Sequence, residues 1–272
     1  MDSFITGILY SKNRPRFEQI KNMAAGFVNL YIGHNIIQDD IFTVIENYAE
    51  TKKMPLEWIR IPIEDEELCA CTFVRGGRIF VVLNTIIPIS KQIFAAAHEL
   101  YHIRCFLEEN DPELARSGSI LESHTIDAGT TEEEEMEANA FAGVLLASVD
   151  DLNQQMRIFR IEKSDIGIDD ILTLMDIFAI PYKAMVLRLM EESIISIDKA
   201  KALLGISAAD VKKRQLITGK AKRWMIVPKG NEKLGSIVEN ISINTYEENL
   251  PESRLKSDWD RVETIKKRYG IE

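Results

Sequence analysis

Apolar residues recur at helical spacing near the start of the chain: Phe17, Ile20, Met23, Ala24, Phe27 and Leu30 mark one helix, and Ile41, Val44, Ile45 and Tyr48 a second after a polar break. The period then shortens. Leu56 to Ile63 (interrupted by Pro62), Cys69 to Val74, and Ile79 to Asn84 read as short strands, with Arg75-Gly76-Gly77-Arg78 joining the last two as a hairpin. This pattern predicts a small, mostly antiparallel sheet just before a helix running from about Ser90 to Phe106, with Ser90 as its N-cap after Pro88. Residues 110–130 are rich in Gly, Ser, Asp and Pro and read as a long loop with one short helical turn near Glu113 to Arg116. Helical spacing resumes near Thr131 and again over 150–160, 168–178 and 181–193, the last opening at Pro181. Past Ile195, two shorter helices, near 198–204 and after Ser207, precede a stretch from Lys229 with little periodicity. The expected fold class is α+β, with one domain over residues 1–195 and a smaller region over 196–272.

Composition narrows the function classes. The chain has 272 residues, of which 46% are hydrophobic and 28% charged, values of an ordinary globular protein with room for its own core. Three cysteines, Cys69, Cys71 and Cys105, are too few and too unevenly placed for a disulfide framework. Apolar runs stop short of a membrane span, and the opening MDSFITGILYSKNRPR lacks the features of a secretory leader, so a cytoplasmic protein is expected. The net charge of -10 argues against non-specific nucleic-acid binding. Charge is unevenly spread, however: residues 196–272 hold 16 of the 33 basic and 11 of the 43 acidic residues, which makes that region basic and the remainder strongly acidic. The run Lys212-Lys213-Arg214 to Arg223 contains no acid and reads as a solvated helix surface, with docking of an acidic partner as the alternative.

The chemistry is concentrated in His98-Glu99-Leu100-Tyr101-His102. On a helix, spacing i, i+4 sets both imidazoles on one face, where two nitrogens can bind a single Zn²⁺. Glu99 then stands beside the metal, placed to take a proton from the attacking water and return it to a leaving amine. Two of the chain's four histidines at this spacing, with an acid between them, favour a metal over ordinary core histidines. A zinc site needs a third protein ligand. His124 lies in the polar loop and reads as a loop residue, and Glu108 occupies the position where an H-E-x-x-H-x-x-G-x-x-H pattern would have its last histidine.

The run from Thr131 to Ala142 offers a better candidate. Thr131 with Glu134 suits a capping box, and acids in a first turn suit the helix dipole, so Glu132 to Glu134 call for no catalytic role. Glu135 is followed by Ala138, Ala142, Leu145 and Val149 on one face, at the edge of the expected core. A carboxylate directed inward needs a partner, and a metal is one. Glu137, which shares a face with Phe141 and Val144, is the alternative third ligand. Tyr101 reads as a packing residue, its hydroxyl being the alternative donor to an oxyanion.

Between about residues 75 and 195 the sequence resembles the ImmA/IrrE metallopeptidases: an aliphatic strand ending at Asn84, Ala97-His98-Glu99-Leu100-x-His102, Glu135-x-Glu137-Ala138-Asn139-x-Phe141-Ala142, and Pro181 to Leu189 with its Arg188-Leu189 pair. Tyr101 in place of a common Gly, and Ala147-Ser148 in place of a common Met-Pro, depart from the pattern without touching a ligand position. The resemblance implies a zincin-like fold, Zn²⁺ on His98, His102 and Glu135, and Glu99 as general base. It also implies selective cleavage of a phage-type or mobile-element repressor, here a helix-turn-helix protein on a separate chain, since the N-terminus carries no such motif. Strand 79–84 is the expected docking edge for an extended substrate. The competing class is a metal-stabilised antirepressor or sensor that binds its regulator without cutting it; a zinc hydrolase of another bond is a further alternative.

Overall fold

The computed structural model describes residues 5–33, 36–109, 133–247 and 249–271. The loop expected over 110–130, the Glu113–Arg116 turn, the Thr131 cap and His124 lie outside the described residues.

The N-terminal part contains α1 (Leu9–Lys12), α2 (Arg14–Phe27) and α3 (Ile41–Thr51). Asn13 starts α2 by accepting from the Arg16 amide at 3.2 Å, with Pro15 in the first turn. Strands β1 (Leu56–Ile61), β2 (Ala70–Arg75) and β3 (Arg78–Asn84) follow. Gly76 and Gly77 take φ of 59° and 71°, which a two-residue hairpin turn with matching twist requires. The sheet is mixed, in the order β2-β3-β1-β4, where β4 is Lys233–Leu234. β2–β3 and β1–β4 are antiparallel, whereas β1 and β3 run parallel. β3 is therefore internal, flanked by β1 and β2, and the substrate edge expected along strand 79–84 does not exist. The free edge on that side is β2.

The buried Asn84 side chain organises the β1–β2 connection: it accepts from the amides of Ile63 (3.0 Å) and Ile86 (3.1 Å) and donates towards the carbonyls of Ile63, Asp65 and Leu68. Its position sets where β3 turns into α4 (Ile89–Glu109). That helix starts one residue earlier than the expected Ser90 cap. The Pro88 carbonyl accepts from Lys91 and Gln92, and the Ile89 amide is satisfied by the carbonyl of Ile226, far along the chain. Residues 92–103 are buried on every side, so α4 is the central rod of the molecule rather than a surface helix. Beside it runs α5 (Glu133–Leu146), also buried at nearly every position, with α2 packed along it.

Next come α6 (Val149–Ile158), α7 (Ile168–Phe178), α8 (Tyr182–Glu191), α9 (Ile197–Leu204) and α10 (Ala208–Thr218). Arg188 on α8 is buried against α5: it donates to the Ala147 carbonyl at 3.1 and 3.2 Å and pairs with Glu191 and Glu192, each at 2.8 Å. The main core takes in residues on both sides of position 195, including Ala200, Leu203, Val211 and Trp224. A separate small cluster of Leu234, Ile241, Leu255 and Val262 joins β4 to α11 (Ile237–Tyr246) and α12 (Glu252–Tyr269), two helices the sequence pattern did not predict. Glu57 of β1 anchors this region by accepting from the Ser236 amide and hydroxyl at 2.9 and 2.6 Å.

Candidate metal centre

His98 and His102 share one face of α4, and Glu135 in the first turn of α5 meets them. The two Nε2 atoms are 3.2 Å apart, His98 Nε2 is 3.2 Å from Glu135 Oε2, and His102 Nε2 is 3.4 Å from Oε1. Each separation is short enough for one ion between them to bond all three side chains. All three residues are buried, and together they can hold a metal ion.

The outward nitrogens indicate what the inner ones are for. His98 Nδ1 lies 3.0 Å from Asn139 Oδ1, and His102 Nδ1 lies 2.9 Å from Glu134 Oε1. A carboxylate accepts only, so His102 Nδ1 carries a proton, and Asn139 holds His98 in the matching tautomer. In the neutral imidazoles both Nε2 lone pairs then converge on the same point, beside a carboxylate. Such an arrangement of acceptors is repulsive unless a metal ion or a proton lies between them. Glu135 Oε2 has no hydrogen-bond partner, which fits the same requirement. Burial works against ionising Glu135, but the neighbouring His98 and His102 hold its pKa below the usual carboxylate value. For His102, burial opposes protonation, but the bond to Glu134 and the charges of Glu99 and Glu135 outweigh it and raise the pKa.

Glu99 is completely buried and neither carboxylate oxygen has a partner. Its pKa is raised, chiefly by burial, with the two imidazoles opposing the rise. Beside a metal, such a group is suited to taking up and releasing a proton.

The candidates separate cleanly. Glu137, the alternative ligand, is also buried but directed elsewhere: Arg16 holds it with two bonds of 2.6 and 2.7 Å, and the Tyr101 hydroxyl donates to it. Tyr101 is buried against Phe141 and the His102 ring, at centroid separations of 5.7 Å in both cases, so its hydroxyl is committed to Glu137 rather than to an oxyanion. Glu134, read from the sequence as a first-turn acid only, is the partner of His102. Asn139 carries no signal of a role in its sequence context. Both follow from the register of Glu135: one residue before it and four after it are the positions that reach the two histidines. In the basic run, Arg214 pairs with Asp169 at 2.5 Å and Arg223 with Asp176 at 3.4 Å, while Lys220 donates to Thr173 at 2.7 Å, so part of it ties α10 and the following turn to α7. Lys212 and Lys213 remain exposed.

No protein-family model matches the chain, and no curated protein matches it. Among the described residues, no helix is long and apolar enough to cross a membrane.

Proposed function

We propose that the protein is a zinc-dependent endopeptidase with a zincin-like domain, related to the ImmA/IrrE metallopeptidases, that cleaves a helix-turn-helix repressor carried on a separate chain. The observation that carries this reading is the pairing of a His98–His102–Glu135 cluster with a neighbouring carboxylate, Glu99, that is buried and has neither oxygen hydrogen-bonded. A divalent metal at the cluster supplies Lewis acidity, lowering the pKa of water and polarising a peptide carbonyl. Glu99 accepts the proton of the attacking water and returns it to the departing amine. Glu134 and Asn139 keep the histidine rings oriented with Nε2 inward. The β2 edge is where an extended substrate adds by backbone pairing. A purely structural metal site, as in the antirepressor reading, has no use for a desolvated carboxylate beside it.

The test is a map of new protein N-termini in a lysate treated with zinc-loaded protein, set against zinc-loaded Glu99→Gln. Cuts confined to one or a few proteins and absent with Glu99→Gln are the expected result. Identical maps, with zinc bound in both proteins, would overturn the peptidase reading.

A further inference from the structure

Glu137 sits two residues beyond Glu135, yet its partners lie on two other elements. Arg16 of α2 grips both its oxygens, Nε to Oε1 at 2.6 Å and Nη2 to Oε2 at 2.7 Å, and Tyr101 of α4 donates to Oε2. Arg16 is itself held. Its amide donates to the Asn13 side chain, and its remaining nitrogen Nη1 bonds Gln19 at 3.1 Å. Asn13 makes a second link, from Nδ2 to Glu133 at 3.2 Å. The start of α2 is thus fastened to the first turn of α5, and through Tyr101 to the segment of α4 between the two histidines.

That first turn crowds Glu133, Glu134, Glu135 and Glu137 into five positions. Among the described residues, Arg16 is the permanently charged cation bonded to it. The helix dipole favours acids there but does not choose which of them faces the histidines. Two residues along a helix turn it by about 200°. Fastening Glu137 to Arg16 of α2 and to Tyr101 of α4 therefore also fixes the direction in which Glu135 projects, and sets the rotation of α4 against the same carboxylate.

We propose that Arg16 is a positioning residue for the metal centre, acting through Glu137 and Tyr101 to set the register in which α4 and α5 present His98, His102 and Glu135. The inference rests on the reading of those three residues as metal ligands. Its readouts are metal affinity and ligand geometry, neither of which involves hydrolysis.

The experiment measures zinc affinity by chelator competition and the visible d–d absorption of the cobalt-substituted protein for wild type, Arg16→Met, Arg16→Lys, Tyr101→Phe and the double variant Arg16→Met with Glu137→Met. The fork of an arginine is lost in Arg16→Lys although its charge is kept, so both single changes at Arg16 weaken zinc, Arg16→Met by about tenfold and Arg16→Lys by less, with an altered cobalt band. The double variant removes the buried charge with its partner and recovers thermal stability. Its zinc affinity stays reduced, which a merely stabilising ion pair would not produce. Should Arg16→Met fail to fold, the double variant and Tyr101→Phe carry the test. Wild-type affinity and an unchanged cobalt band in the double variant would overturn the positioning role alone. A wild-type protein that takes up no metal would overturn the metal reading and this one together.

Discussion

Four glutamates in five positions have four different sets of partners, so replacing each by glutamine should give four different zinc affinities. Among the described residues Glu133 bonds Asn13, in an exposed contact, and Glu133→Gln should leave affinity within about twofold. Glu134 bonds His102 Nδ1 at 2.9 Å, but its side chain is 50% exposed. A bond to a charged group contributes about 1.5–3 kcal/mol when shielded, and solvent screening reduces it here to about 1 kcal/mol, or about a fivefold loss of zinc affinity. Glu135→Gln removes an anionic ligand and should exceed the roughly 100-fold that bounds losses from outer partners. Glu137→Gln should weaken zinc by about tenfold and also lower stability, because the part-buried Arg16 contact loses its counter-charge. Competition with a chromogenic chelator ranks all four in one assay. A larger loss with Glu137→Gln than with Glu135→Gln, or a flat profile, would refute the assignment of partners.

Other consequences follow from close contacts. At Gly143 an added Cβ would stand 2.8 Å from Arg188 Cδ, and that side chain is locked by its bonds to Ala147, Glu191 and Glu192, so Gly143→Ala should cost about 1–3 kcal/mol, seen as a lower urea midpoint. Gly235 has φ of 61° and its Cβ would meet Glu57 Oε2 at 2.5 Å; Gly235→Ala should speed amide exchange across α11 and α12 while zinc affinity stays unchanged. Acid should act on the same joint. Burial alone would raise the Glu57 pKa, but Ser236 and Arg78 hold it below the ordinary 4.5, so its contribution is complete above that value and is lost as pH falls through the lower folded one, with exchange of residues 233–271 quickening there. Asn84→Ala strips hydrogen bonds from the amides of Ile63 and Ile86 and from the carbonyls facing its Nδ2, and should cost about 3 kcal/mol in urea unfolding.

Much of the architecture was readable in the sequence because local chemistry specified it. Gly76-Gly77 between β-branched runs fixed the hairpin, and helical spacing placed α2, α3 and α6 to α10 within a few residues. His98, His102 and Glu135, picked out by the histidine spacing and the inward carboxylate, stand close together in a group that could hold a metal ion. What escaped depends on pairing between distant segments. The parallel β1–β3 register and the two-residue β4 strand are set by contacts across the fold, and a hairpin signal says nothing about which neighbour lies on its other side. α12 was missed because its apolar stripe, Leu255, Trp259, Val262 and Ile265, is narrow and diluted by charge. Periodicity could not separate Glu135 from Glu137, since α5 is buried on nearly every side and both side chains are inside; Arg16 and Tyr101 make the distinction. Glu134 escaped for the opposite reason: half-exposed, it follows every rule for a solvent-facing first-turn acid and still reaches His102.

The most direct test of the central claim is anomalous diffraction at the zinc edge from crystals of the zinc-loaded protein. One strong peak is expected, bonded to Nε2 of His98, Nε2 of His102 and a carboxylate oxygen of Glu135, at about 2.0–2.2 Å from each, with Glu99 alongside but not bonded. A peak elsewhere, or coordination through Glu137 in place of Glu135, would contradict the claim.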